Sequence, residues 1–218
     1  MNSLMRCATL GGLLALTACH PFNSSPPTMT DELRPFSDYT LELRHNPQPA
    51  QAYKITLMLV KPPGPFASIR GVAQYDVMNT ECLPPPDANP GGYTSKLSTD
   101  ESFVLTQVSA NQYEGVIHAD LMRDEDYIGR GVCHWQLMDV RVRLQATGAD
   151  GETRFVPTLA PESVLAEQSQ TFYFWKGGYP RDEFEDFADG GQPDASKFKP
   201  EIRSDLFAIV LTAETVQP

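Results

Sequence analysis

Short runs of alternating apolar residues, separated by Gly, Pro, Asn and Asp, recur along most of this chain. A period of two turns one face of each run toward a core, as in a β-strand. Helix signals are limited to 161–167, with Pro161 near its start, and to a turn around 182–188. The predicted strands are 38–44, 53–60, 69–78, 102–108, 112–119, 133–146, 152–157, 170–175 and 206–213. We therefore predict a mainly β fold: an antiparallel β-sandwich or barrel-like domain with long loops and at most short helices.

Three of these runs predict more specific features than the others. The runs 102–108 and 112–119 are separated by a Ser-Ala-Asn turn at 109–111, which predicts a hairpin. In the long run 133–146 the apolar residues change phase by one position, which predicts a bulge near Met138 and Asp139. Long loops are predicted at 79–101 and 176–204, and loops of that length in a compact domain are usually functional or disordered.

The N-terminus carries an uncharged apolar run at 8–18, preceded by Arg6. The run is too short to span a bilayer as a helix but has the size of an export signal. It ends in Leu-Thr-Ala-Cys at 16–19, which resembles the lipobox of bacterial lipoproteins. An alternative is an ordinary secretory signal followed by a chance cysteine.

The lipobox resemblance implies a domain organisation and a location. It implies a lipoprotein signal peptide at 1–18, a lipidated Cys19 within a flexible tether at 19–36, and a single β-rich domain at 37–218. Several acyl chains on one residue give stable membrane anchoring. By similarity to Gram-negative lipoproteins, His20 in place of Asp favours the outer membrane, with the domain facing the periplasm.

Two of the four cysteines remain for the folded domain, because Cys7 leaves with the signal and Cys19 takes the lipid. In an exported domain two thiols most simply pair, so we predict a disulfide between Cys82 and Cys133. A reactive cysteine beside His134 is the functional alternative.

Charge and motifs exclude several classes of function. The net charge of −11 argues against nucleic-acid binding, because the phosphates would be repelled. The chain has no Gly-x-Ser-x-Gly or His-Glu-x-x-His motif, and no phosphate-binding glycine pattern. We therefore predict no enzymatic activity and no cofactor. A metal site at His118, His134 and Asp120, calcium at the acidic clusters and a pair of glycosidase carboxylates are alternatives that no spacing requires.

Aromatic residues alternate with acids in the second long loop, and a smaller acidic turn follows residue 120. Binding surfaces are often built this way, with aromatic anchors and charge for steering, although such a loop can also fold back over the sheet. The predicted partner-binding residues are Tyr179, Asp182, Glu183, Phe184, Glu185, Asp186 and Phe187 in the loop and Asp124, Glu125, Asp126 and Tyr127 in the turn.

Several motifs between residues 16 and 135 resemble one family. They are the lipobox, Pro-Gly-Pro-Phe at 63–66, Asn-Thr-Glu-Cys at 79–82, Asp-Glu-Asp-Tyr-x-Gly at 124–129 and Gly-Val-Cys-His-Trp at 131–135. The chain resembles the lipoprotein immunity proteins encoded beside the phospholipase (lipase) effectors of type VI secretion systems.

That resemblance implies an inhibitor that faces the periplasm and blocks the active site of a toxic secreted lipase before it attacks membrane phospholipid. Tethering would raise its local concentration at the substrate surface. Two other readings stay open: an inhibitor of a secreted peptidoglycan hydrolase, and a structural lipoprotein of the envelope or of a secretion machine.

Overall fold

The computed structural model describes residues 34–216. The predicted signal peptide, Cys19 and the tether up to residue 33 lie outside the described residues, so these assignments stay predictions. Within 34–216, no helix combines the length and the apolar content needed to cross a membrane.

Two packed β-sheets build the domain, which confirms the predicted β-sandwich with few short helices. The strands are β1 Ala52–Val60, β2 Ser68–Val77, β3 Ser98–Phe103, β4 Thr106–Ser109, β5 Gln112–His118, β6 Trp135–Gln145, β7 Arg154–Phe155, β8 Thr158–Leu159, β9 Ser169–Trp175, β10 Ala188–Asp189 and β11 Leu206–Thr215. The first sheet has the order β4-β5-β1-β11-β9. The second has the order β10-β7-β6-β2-β3, with β8 also paired to β6. The β10–β7 pair is parallel, and the other strand pairs in residues 34–216 are antiparallel.

Helical structure in the described part is short. The α-helix Pro161–Leu165 (α1) confirms the helix predicted at 161–167, although it ends two residues earlier. Single 3-10 turns lie at Phe36–Asp38, Thr80–Cys82, Pro86–Ala88, Lys176–Gly178 and Ala195–Lys197, and a longer one at Pro200–Asp205.

The alternation of apolar and polar residues explains how β1, the central strand of the first sheet, faces the core on one side and the surface on the other. In β1, Ile55, Leu57 and Leu59 point into the core and are at most 5% exposed, while Lys54 pairs with Glu214 of β11 at the surface. Because β1 is paired on both sides, by β5 and β11, its backbone groups are satisfied and its apolar face is covered by the second sheet.

The two longest strands of the second sheet, β2 and β6, pair along most of their length. Gln74 lies opposite Asp139 and Tyr75 lies opposite Leu137, so Met138 is the extra residue of a bulge. This confirms the bulge predicted from the change of phase. The bulge lets the apolar residues on both sides of Met138 point into the same core.

The predicted strand 102–108 is wrong as one element. Its first part belongs to β3, which begins at Ser98 inside the predicted loop 79–101 and pairs with β2. Its second part is β4, which pairs with β5 and confirms the hairpin. Between them the chain crosses from one sheet to the other, because the two strands lie at edges of different sheets.

The predicted strand 38–44 is also wrong. In this segment Leu41 and Leu43 pack against the core and Tyr39 is half-buried, but no ladder forms. The bridge of His45 to Met122 is the first strand-like pairing after residue 34. Pro47 and Pro49 follow directly, and proline lacks the N–H group that a ladder needs. The alternation of apolar residues in this segment therefore reflects the burial of alternate side chains, although the segment forms no hydrogen-bonded strand.

Cys82 and Cys133 form the predicted disulfide, and both are buried. Cys82 ends a 3-10 turn of the loop that follows β2, and Cys133 lies two residues before β6. The bond therefore ties that loop to the segment that leads into the longest strand.

A cluster of aromatic rings fills the opposite end of the core. Phe155 lies 5.7, 5.5 and 5.3 Å from the ring centroids of Phe66, Phe174 and Phe207. The Tyr179 ring packs edge-on against Phe66 at 5.3 Å. Since Tyr179 lies near the start of the second long loop, this cluster anchors the loop to both sheets.

Candidate functional site

The candidate site is the segment 176–191, called the binding loop below. It leaves the first sheet after β9 and returns as β10, an edge strand of the second sheet. At its start, Thr153 holds the loop twice: its hydroxyl donates to Gly178 O at 2.6 Å and its N–H donates to Pro180 O at 3.0 Å. The Tyr179 hydroxyl donates to Pro65 O.

The end of the binding loop is held equally well. The Arg154 N–H donates to Phe187 O at 2.8 Å, and the Val156 N–H donates to Asp189 O at 2.7 Å. Just beyond, Gln192 exchanges two backbone hydrogen bonds with Tyr173 of β9. The loop thus closes one side of the sandwich: it leaves β9 of the first sheet, and both of its ends are hydrogen-bonded to the segment around β7 of the second sheet.

The tip of the binding loop carries exposed aromatic residues among acids. Phe184 is 67% exposed and Phe187 is 41% exposed. Glu183 and Glu185 flank Phe184 and are exposed. Asp186 has a positive φ of 55°, and its carboxylate accepts the Gly151 N–H at 3.0 Å. The tip is therefore a braced turn that presents an apolar ring to solvent.

The bracing depends on a buried carboxylate in the neighbouring turn. Glu152 accepts hydrogen bonds from the N–H and the hydroxyl of Thr147, at 2.9 and 2.7 Å, and from the Gly148 N–H at 2.9 Å. These bonds, those of Thr147 first, lower the pKa of Glu152 below its ordinary value. Glu152 thereby shapes the turn whose Gly151 contacts the loop.

We expect this turn to make the domain sensitive to acid. Because the folded-state pKa of Glu152 lies below the ordinary value of 4.5, its stabilisation is complete above that value and is lost as pH falls through the folded-state pKa. Thermal unfolding measured from about pH 7 to about pH 3 should therefore show a lower melting temperature for Glu152→Gln at neutral pH and a smaller acid-induced fall than in the wild type. Parallel curves would contradict this role.

The side chains of the second predicted segment, the turn 124–127, are mostly engaged within the domain. Asp124 accepts the Trp135 N–H at 2.9 Å and contacts His134 Nδ1 at 2.7 Å. The Tyr127 hydroxyl donates to Arg123 O at 2.7 Å, and its ring meets Trp135 edge-on.

The other two acids of this turn are engaged as well. Glu125 pairs with Arg44 at 3.1 Å. The Asp126 carboxylate accepts N–H groups from Ile128, Gly129 and Arg130. Although burial acts to raise it, these backbone hydrogen bonds lower the pKa of Asp126. These contacts account for the turn without a partner, so partner binding through it stays a prediction.

The two predicted binding segments do not come together. The turn 124–127 contacts the start of β6 at Trp135, whereas the binding loop borders β7, which pairs with Leu144 near the end of β6. Nine residues of strand separate these points, which is about 30 Å. The first described residues lie at the far end from the loop, since the Phe36 N–H donates to Asn89 Oδ1 and the Asn46 N–H to Leu121 O.

A basic row on the outer face of the second sheet was missed by the sequence analysis. Arg141 and Arg143 alternate with buried Val140, Val142 and Leu144 in β6. That alternation is the signal that could have revealed it, because a period of two sends both guanidinium groups to one face.

The other candidates have ordinary structural partners. Asp120, one of the possible metal ligands, accepts the N–H groups of Ala50 and Gln51. Within the described range, no three His, Cys, Asp or Glu side chains are grouped so that they could hold a metal ion.

Comparison with known proteins identifies no relative of this chain. No protein-family model matches the chain, and neither the curated proteins nor the solved structures contain a match to it.

Proposed function

We propose that this chain is a lipid-anchored, periplasm-facing binding protein that neutralises a toxic secreted lipase by covering its active site. The observation that carries the binding role is Phe184, a large apolar ring 67% exposed at the tip of a loop fixed at both ends. The lipase as partner follows from the sequence resemblance to lipoprotein immunity proteins.

The chemistry of the binding loop supports a protein partner. An aromatic anchor that is fixed before binding loses little conformational entropy when it enters a pocket, so more of its burial contributes to affinity. The flanking carboxylates of Glu183 and Glu185 favour a partner with basic groups around that pocket, because complementary charge speeds association. Catalytic clefts are concave and mostly apolar, which suits an inserted phenylalanine.

The position of the loop relative to the chain entry supports anchoring through Cys19. The described chain enters at the end opposite the binding loop, so an anchored domain would leave the loop free to meet its partner. The fifteen residues from Cys19 to Arg34 span at most about 50 Å, which exceeds the length of β6. This reach would let the domain turn its loop toward a lipase working at the membrane surface.

We expect Phe184→Ser to weaken partner binding about tenfold or more, since a buried aromatic anchor contributes roughly 2 kcal/mol. The full-length chain and the variant are each used to capture proteins from the native envelope, and the captured fraction is assayed for phospholipid hydrolysis with and without added chain. The wild type should retain a phospholipase and inhibit it, and the variant should do both poorly. Because Phe184 is exposed, stability should change by less than about 0.5 kcal/mol.

Tyr93→Ser is the matched control, because Tyr93 is an exposed aromatic residue in the loop that follows β2. It should inhibit as well as the wild type. Captured phospholipase that stays fully active, or equal inhibition by wild type and Phe184→Ser, would overturn the proposal. Capture and inhibition of a peptidoglycan hydrolase instead would favour the other inhibitor function.

A further inference from the structure

Four arginines converge on the outer face of the second sheet, although the protein carries a net charge of −11. Arg70 of β2 lies directly opposite Arg143 of β6, and Arg141 follows two positions away on the same face. Arg154 extends from the neighbouring strand β7. Three of them line an open cleft of about 400 Å³, here called the arginine cleft, together with Val156 and Ala188.

The pairing of Arg70 with Arg143 is unfavourable for the isolated domain. Side chains directly opposite on antiparallel strands lie about 5 Å apart at Cβ, and like charges there are destabilising. Asp100 lies 3.6 Å from Arg143 and also contacts Arg141, which relieves part of the repulsion. Arg70 forms no ion pair with any residue in 34–216. A bound anion would remove the remaining repulsion.

Arg141 is the fixed member of the arginine cleft. Its side chain is only 16% exposed and donates to Asp139 and Gln74 at 3.0 Å. Its Nε is buried and has no hydrogen-bond partner among the described residues. The more exposed Arg70 and Arg143 therefore present their guanidinium groups from a rigid floor.

The arginine cleft is continuous with the binding loop. Arg154 Nη2 donates to Asp186 O at 2.8 Å, and Ala188 belongs to β10, which ends the loop. The arginine cleft therefore borders the end of the binding loop, where a partner bound to that loop can also meet it. We propose that the arginine cleft docks a carboxylate-bearing segment, rich in Asp or Glu, of the protein partner. This inference rests on the proposed function and adds the chemistry of a second contact.

The shape of the surface and the charge of the protein favour protein carboxylates over the phosphates of a membrane. Guanidinium groups pair with both anions through parallel hydrogen bonds, but several arginines along a flat strand surface match the row of carboxylates that an extended acidic segment offers. An anionic lipid surface would meet the whole acidic protein and not the cleft alone, so net repulsion opposes it.

The test measures binding of a labelled oligoglutamate peptide to the purified full-length chain, with an oligoglutamine peptide, inorganic phosphate and vesicles containing anionic lipid as comparisons. Arg70→Gln combined with Arg143→Gln should weaken oligoglutamate binding at least about tenfold, since each charged contact contributes about a factor of ten. Lys61→Gln combined with Lys199→Gln is the matched control, because both lysines are exposed and lie outside the binding loop and the arginine cleft. The control should leave binding unchanged.

Two further readouts separate binding from folding. The double arginine variant should unfold at the same temperature as the wild type or higher, because it removes a like-charge pair. Asp100→Asn should bind oligoglutamate more tightly, which a damaged fold would not produce. Equal affinity of wild type and the double arginine variant, no oligoglutamate binding, or preferential binding of phosphate or of the vesicles would overturn the inference.

Failure of this inference can be told apart from failure of the proposed function. If the double arginine variant still inhibits the captured lipase while Phe184→Ser does not, the arginine cleft is excluded as a partner contact and the proposed function stands. If no lipase is captured, the proposed function fails, and the partner assignment of the cleft fails with it even where oligoglutamate binds.

Discussion

Replacing Phe155 with alanine lowers the free energy of unfolding by about 3–5 kcal/mol. Its ring is fully buried and lies within 6 Å of three other rings, so truncation leaves a cavity bounded by residues of both sheets. The neighbouring Phe66 supports Tyr179 at the base of the binding loop. The measurement is chemical denaturation at equilibrium, followed by tryptophan fluorescence.

Phe184→Ala is the control for this prediction, because it makes the same chemical change at an exposed position. It should alter the free energy of unfolding by less than about 0.5 kcal/mol. If Phe155→Ala were as mild as Phe184→Ala, the aromatic cluster would not be part of the cooperative core.

Removing the disulfide with Cys82→Ala and Cys133→Ala lowers the free energy of unfolding by about 4 kcal/mol on the chain-entropy estimate. The two cysteines are 51 residues apart, so the bond restricts a large loop of the unfolded chain. It also joins the loop after β2 to the start of β6, and its loss should loosen both. Denaturation curves of wild type and double variant give the difference.

Reductant supplies the internal control for the disulfide. It should lower the stability of the wild type toward that of the double variant and leave the double variant unchanged. The prediction would be contradicted if reductant left the free energy of unfolding of the wild type unchanged, or if the double variant were as stable as the wild type.

Local sequence patterns predicted the strands because alternation reflects the geometry of the extended chain. Runs such as 53–60 and 206–213 became β1 and β11 with small changes of boundary. The bulge at Met138 was predictable for the same reason, since a strand that keeps one face buried must add a residue when its pattern changes phase. The segment 38–44 shows the limit, because burial of alternate residues does not require a neighbouring strand.

The candidate site was predicted only in part. Exposed Phe184 and its flanking acids were identified from composition, and the structure adds that the loop is braced by Thr153 and by the turn at Glu152. The acids of 124–127 have the same composition, yet they cap backbone groups and pair with neighbouring side chains. Composition cannot separate these cases, because the difference lies in which backbone N–H groups end up nearby.

The sequence by itself determined the strand periods, the bulge, the short helix and the pairing of the two cysteines. The first three depend on local geometry, and the predicted domain has only two cysteines that can pair. Only the tertiary structure decided which strands are neighbours and in what register. That decision brought Arg70 opposite Arg143, carried the loop from one sheet to the other, and put the turn 124–127 at the far end of β6. Such juxtapositions come from contacts between distant parts of the chain, for which no local pattern carries the information.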